Sequence, residues 1–137
     1  MKYIQKRTCI KFRPKRPKDR AFVNITNLKT ACHSKLGFMG NAQQLNLQVP
    51  MKTHKDGCLA RNGTAVHEIM HALGFYHEQS RLDRDRYISV IEKNIQNKKG
   101  KDLKTQFRKR PFQHTLSTPY DLCSIMHYRL HAFSKVN

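Results

Sequence analysis

The sequence predicts an α+β domain, and three observations point to that class. Residues 20–27 (RAFVNITN) and 44–49 (QLNLQV) alternate apolar and polar side chains at the period of a half-buried strand. Val66, Ile69, Met70 and Leu73 recur at i, i+3, i+4 and i+7, the spacing that gathers apolar groups on one side of a helix. From 96 to 110 the chain is polar and basic, with Phe107 as its one large apolar anchor, and reads as irregular surface.

With 137 residues the chain holds one domain, long enough for a core. No apolar run approaches the length of a membrane span, and the mean hydropathy of -0.74 suits a soluble chain. The opening MKYIQKRTCIKF lacks the apolar stretch of a secretory signal, so either a signal belongs to sequence upstream or the chain is not exported. Lys and Arg number 27 against 9 Asp and Glu, a formal charge of +18. That surplus favours weak binding to polyanions such as nucleic acid, sulfated glycans or acidic proteins, without naming any of them.

The elements follow in order. Residues 1–20 are densely basic around a short β-like piece, 8–12, and Pro14 and Pro17 then break regular structure. A charged loop between strands suits this stretch better than a nucleic-acid-binding arm, because the aromatic residues that stack bases are nearly absent. The strand at 20–27 contains the sequon Asn24-Ile25-Thr26, meaningful only in a secreted chain. Asn62-Gly63-Thr64 stands where the helix begins, so Asn62 or Thr64 is expected to cap it. After the helix, the charges of residues 80–87 (SRLDRDRY) can pair locally; Asp83 and Asp85 lack the companions of a calcium loop. Residues 88–95 (ISVIEKNI) suit a short helix or strand, and the polar segment 50–57 an inserted loop. Cys9, Cys32, Cys58 and Cys123 are too widely spaced for a zinc ribbon, which leaves disulfides as the better reading.

The chemistry concentrates at 67–78 (HEIMHALGFYHE). On a helix His67 and His71 leave the axis about 40° apart, so both imidazoles can share one metal ion. Glu68 sits about 100° further round, beside the ligands, where a carboxylate can take a proton from a metal-bound water. A continuing helix would carry His77 to the wrong side, roughly 9 Å along. Gly74 can adopt the left-handed conformation that ends a helix and turns the chain back, returning His77 to the same ion. Three neutral histidines with an open position suit a catalytic Zn²⁺.

Residues 67–87 (HEIMHALGFYHEQSRLDRDRY) resemble the astacin version of the metzincin zinc motif, and 124–128 (SIMHY), preceded by TPYD at 118–121, resemble its Met-turn. The likeness runs from about residue 8 to about residue 133. It implies a metzincin, zincin-like fold over 1–137: a twisted mixed sheet with an active-site helix in an upper part, about 1–74, and an irregular lower part with the Met-turn, about 75–137. A complete domain of that family extends beyond both ends of this chain. The implied activity is hydrolysis of peptide bonds in protein or peptide substrates by a secreted zinc endopeptidase, with one Zn²⁺ held by His67, His71 and His77 and with Glu68 as general base. The alternative is a catalytically impaired, strongly basic binding module that keeps the motif. No membrane span and no specific nucleic-acid partner are implied.

The resemblance also assigns particular residues. Tyr128 becomes an additional zinc ligand that swings away to hydrogen-bond the tetrahedral intermediate. Met126 forms an apolar floor, and His127 is directed elsewhere. Cys32 pairs with Cys58. Cys9 lacks its partner, and Cys123 is an addition read as a free buried thiol or an alternative partner for Cys9. Residues 32–40 (CHSKLGFMG) correspond to an edge strand against which a substrate can lie extended. Glu78 corresponds to a carboxylate that meets the processed amino terminus, and in this chain it is expected to lack that partner.

Overall fold

The computed structural model describes residues 1–28, 30–50, 57–60, 62–97, 100–111 and 117–135, in two compact units, Met1–Gly74 and Phe75–Asn137. The inserted loop expected at 50–57 lies mostly outside the described residues.

The first unit holds α1 (Lys2–Arg7), β1 (Phe22–Thr26), β2 (Cys32–Ser34), β3 (Ala42–Leu47) and α2 (Asn62–Ala72). The sheet is mixed, in the order β1-β3-β2. β3 lies parallel to β1, with Phe22 opposite Ala42, and antiparallel to β2, with Cys32 opposite Leu47. Both alternating stretches thus become strands, and β2 is an edge.

Ile4, Leu45, Leu47, Cys58 and Ile69 form the buried core, with Ile10, Phe12, Cys32, Ala65, Val66, Ala72 and Leu73 packed around it. The helix stripe includes Val66, Ile69 and Leu73 as the spacing predicts. Met70 is absent from the cluster, and Ala65 and Ala72 complete the buried side instead. Alternation also predicts a wet polar side for 44–49, but Asn46 and Gln48 are buried, as is Gln43 on the opposite side with Leu45 and Leu47. Loop atoms satisfy these amides on both sides of the strand. Asn46 accepts from Thr26 Oγ1 at 3.2 Å and donates to the Ala31 carbonyl at 2.7 Å. Gln48 accepts from the Ala31 N–H at 2.6 Å, and Gln43 donates to the Gly37 carbonyl at 2.8 Å. A buried amide held on both sides is tolerated where an orphaned one would cost free energy.

The amino-terminal stretch departs from the expectation. Residues 8–12 form no strand, and a short helix precedes them. Lys6 and Arg7 in its last turn complement the negative end of the helix dipole, Thr8 Oγ1 donates to the Ile4 carbonyl at 2.9 Å, and Ile4 is driven into the core.

Cys32 and Cys58 form a disulfide that ties the edge strand β2 to the segment ahead of α2. At Gly57 the chain passes so close to Pro50 that a Cβ would meet its nitrogen at 2.4 Å, which admits only glycine before the bridge. Cys9 and Cys123 are free. Cys123 is exposed rather than buried, because its N–H donates to Asp121 Oδ1 at 2.9 Å in a tight turn that points the side chain outward.

In the second unit the described residues hold short 3-10 turns, Glu78–Ser80, Arg84–Arg86, Glu92–Asn94 and Leu103–Phe107, and a bridge between Ile95 and Ser134. Residues 88–95 therefore become neither helix nor strand but a 3-10 turn closed by that bridge. Leu103, Ile95, Tyr120 and Met126 are its buried apolar groups, so the surface reading of 96–110 missed Leu103. Among the described residues no helix is long and apolar enough to cross a membrane.

Candidate metal centre

Helix α2 begins at Asn62 and Thr64 lies inside it; the cap expected near the sequon falls outside the described residues. Its end is set by Gly74, at φ +102°, a conformation that an L side chain rarely adopts. The last turn tightens as Gly74 N–H reaches the His71 carbonyl at 2.9 Å, and the same carbonyl accepts from Gly37 N–H at 2.8 Å, which pins the loop after β2 to this turn.

The reversal has the consequence that the spacing demands. His67, His71 and His77 each offer one ligand atom, and these atoms all lie within 4.8 Å of one another. The rings of His67 and His71 stand edge to face, 4.6 Å between centroids. All three side chains are half-buried. Glu68, next to His67, is 6% exposed, and its Oε2 meets no hydrogen-bond partner among the described residues. Desolvation raises its pKa, opposed in part by His67. Nitrogen donors at mutual distances that one ion can bridge, with a buried carboxylate oxygen awaiting a donor, fit a zinc ion with an open position.

In the second unit, residues 77–80 lie against residues 126–128. Glu78 N–H donates to the Met126 carbonyl at 2.9 Å, and Tyr128 N–H donates to Gln79 Oε1 at 3.1 Å. The Tyr128 ring lies 4.5 Å from that of His77, between Phe107 and Phe133, and burial pushes its phenol pKa up. Among the described residues its O–H makes a long contact, 3.4 Å, to Gln106 Oε1. Met126 is buried. His127 has both ring nitrogens engaged: Nδ1 stands 2.6 Å from the Tyr128 carbonyl and Nε2 2.7 Å from the Tyr120 hydroxyl. A carbonyl can only accept, so Nδ1 carries a proton, and in the neutral ring the Tyr120 hydroxyl donates to Nε2. Desolvation, reinforced by the charge of Glu78, pushes the Tyr120 pKa up to about 12, which keeps that hydroxyl protonated.

Glu78 is not left unsatisfied. Its Oε1 accepts from Arg81 Nη1 and from Asp121 N–H within its own unit, each at 3.0 Å. Arg81 is buried and organises the region. Its fork grips Asp83 at 2.9 Å through Nε and Nη2, and it donates to the carbonyls of Thr118 at 3.0 Å and Pro119 at 3.1 Å. Asp85 is held by Arg84 and Lys109, so neither aspartate is left for a cation. Gln79 and Arg81 were not singled out from sequence; their only signal was polar residues directly after the third histidine.

A mixed sheet backed by a helix that bears two histidines, with a third brought in by a glycine turn, defines a histidine metal-site protein of the α+β class. Comparison with known proteins makes that class specific. The family model for Astacin, a peptidase family, matches residues 1–137. The chain is 40% identical over 131 residues to zinc metalloproteinase nas-8 of Steinernema carpocapsae, covering 94% of this chain and 28% of that protein. It is 38% identical over 135 residues to the low choriolytic enzyme of Oryzias latipes, covering 98% of this chain and 45% of the enzyme. Among solved structures, high choriolytic enzyme 1, a hatching enzyme zinc-protease of Oryzias latipes, superposes with a TM-score of 0.72 at 36% identity, covering 89% of this chain and 55% of that one. This chain belongs to the astacin family of metallopeptidases and has its fold. It spans less than half the length of either curated relative named here.

Proposed function

We propose that this chain carries the catalytic centre of a zinc-dependent endopeptidase, with one zinc ion held by His67, His71 and His77. The observation that carries this reading is the convergence of three imidazole donor atoms within 4.8 Å next to a carboxylate whose buried Oε2 has no partner. Bound zinc would polarise the scissile carbonyl and acidify a water molecule. Glu68 then serves as general base: its raised pKa strengthens it as a proton acceptor, and it returns the proton to the leaving amine. Tyr128 donates its O–H to the oxygen that gains negative charge, a role supported by a phenol kept protonated by burial and held only weakly by Gln106. Gln79 fixes the Tyr128 backbone and so aims that phenol. The free edge of β2 offers N–H and C=O groups along which an extended substrate can pair.

The disulfide between Cys32 and Cys58 supports an oxidising, extracellular setting. The expected substrates are proteins and peptides. Metal analysis should give one zinc per chain, and casein hydrolysis should be abolished by chelator and restored by zinc. Glu68→Gln should keep the zinc and lose turnover. Full zinc loading without any chelator-sensitive hydrolysis would replace this reading with that of a basic binding module.

A further inference from the structure

The helix that carries His67 and His71 is braced from the sheet. Between β2 and β3 the chain makes a loop, 37–40, whose ends are glycines in the left-handed region, Gly37 at φ +69° and Gly40 at φ +73°. Its two tip residues do not anchor it by burial, since Phe38 is 81% exposed and Met39 49%. Hydrogen bonds hold it instead. Gln43 on β3 is 7% exposed, and its amide grips the loop at two points. Nε2 donates to the Gly37 carbonyl at 2.8 Å, and Oε1 accepts from the Met39 N–H at 3.1 Å. An amide that donates and accepts at once fixes both the position and the direction of the segment it holds, as a ladder partner would.

The loop in turn grips the end of α2. Gly37 N–H donates to the His71 carbonyl at 2.8 Å, and Gly74 N–H reaches the same oxygen at 2.9 Å. The two lone pairs of a carbonyl allow both bonds. The glycines lie against each other, so that a Cβ on Gly37 would stand 3.7 Å from Gly74 Cα. Glycine makes a left-handed turn cheap but brings no side chain to hold it, and the last turn of a helix frays unless it is held. The hold on this turn therefore comes from the loop, and the hold on the loop from Gln43. We propose that Gln43 is a positioning residue of the metal centre: through Gly37 it fixes the His71 backbone and the Gly74 turn, and so sets where the imidazoles of His71 and His77 stand. This inference rests on the reading of His67, His71 and His77 as a zinc site. Its rival is that Gln43 stabilises the loop and nothing more.

The test reads metal binding rather than turnover, in the full chain stripped by chelator and reloaded, with the exposed thiols of Cys9 and Cys123 alkylated so that they take no metal. Competition with a chromophoric chelator gives zinc affinity, and the visible absorption bands of the cobalt form report ligand geometry. Outer supports of metal ligands change affinity roughly 10–100-fold, and Gln43 acts at one remove, so Gln43→Met should weaken zinc binding about tenfold and alter the cobalt bands. Gly37→Ala strains a residue at φ +69° and should leave the same signature. The double variant should lose no more than about twofold beyond the larger single loss, because both changes act through one contact. Phe38→Ser/Met39→Ser alters the tip and spares the brace, so affinity should stay within about twofold of the wild type and the bands should not move. Should Gln43→Met fail to fold, Gln43→Glu carries the same expectation, since it keeps the acceptor for Met39 N–H and loses the donor to Gly37. Wild-type affinity and cobalt bands in folded Gln43 and Gly37 variants, even with a lowered Tm, would overturn the proposal and leave the zinc reading standing. Fully additive losses in the double variant would overturn it too. A wild-type chain that binds no zinc would instead overturn the zinc reading, and this inference with it.

Discussion

Replacing Arg81 with methionine tests whether this guanidinium holds the second unit together. The side chain is 4% exposed and makes five hydrogen bonds, to Glu78, to both oxygens of Asp83 and to two backbone carbonyls. Methionine refills much of the volume, so the loss is chiefly electrostatic: two carboxylates and two carbonyls lose their donor. Removing one member of a buried ionic cluster costs about 3–5 kcal/mol. Glu78 and Asp83 keep 15% and 28% of their side chains in solvent, which places the expectation at the lower end, about 3 kcal/mol. For a chain of this size that lowers Tm by about 10 °C. The pH dependence carries the sign. The Arg81 hydrogen bond holds the Asp83 carboxyl below its usual range. A depressed folded pKa contributes stability that is present above the unfolded value and lost as pH falls through the folded one, so the gap between wild type and variant should shrink below about pH 4. Adding Glu78→Gln and Asp83→Asn to Arg81→Met should recover about 2 kcal/mol, because the stranded charges are then gone. Thermal and urea melts from pH 7 to pH 2 measure all of this. A loss under about 1 kcal/mol at pH 7, or a gap that stays constant into acid, would refute the assignment of Arg81 as the electrostatic anchor.

Three further outcomes follow from other parts of the molecule. The Cys32–Cys58 bridge spans 26 residues, so Cys32→Ser/Cys58→Ser should cost about 3.5 kcal/mol by the loop-entropy relation, read from urea midpoints with and without reductant. Gly74→Ala forces a side chain onto φ +102° and should cost about 1–3 kcal/mol while weakening zinc affinity in chelator competition, since the turn that delivers His77 is strained; unchanged affinity would show that the turn is not what brings His77 in. Tyr128→Phe should keep zinc stoichiometry and KM and lower kcat by about a hundredfold; a change in KM alone would remove Tyr128 from the step in which charge develops.

The parts legible from sequence are those in which a side-chain period or a backbone requirement acts locally. The α2 stripe was readable because Val66, Ile69 and Leu73 fall on one side of any helix, and the end of α2 because only a residue without Cβ takes φ +102° at low cost. β1 and β3 were readable by alternation. What alternation could not show is that the polar side of β3 is covered. Asn46 and Gln48 are satisfied by Ala31, which lies 15 and 17 residues away along the chain, and nothing local announces that contact. The amino-terminal helix was hidden for a related reason: six residues are too few for a helical period, and Ile4 earns its place only through a core assembled from distant segments.

The same distinction separates the members of the candidate site. His67, Glu68 and His71 owe their arrangement to helical geometry alone and could be placed from spacing. Tyr128 could not, because its position near His77 depends on Gln79 reaching 49 residues along the chain to its N–H and on Arg81 fastening the carbonyls at 118 and 119 that precede the Met126 turn. Segments without regular secondary structure have no ladder to hold them, so side-chain amides and guanidinium groups must supply the missing backbone partners. A second unit built from short turns therefore needs buried Gln79 and Arg81 directly after the third histidine: there they brace the turn of His77 and the turn of Tyr128 with the same few atoms, and loss of either should displace both rings together.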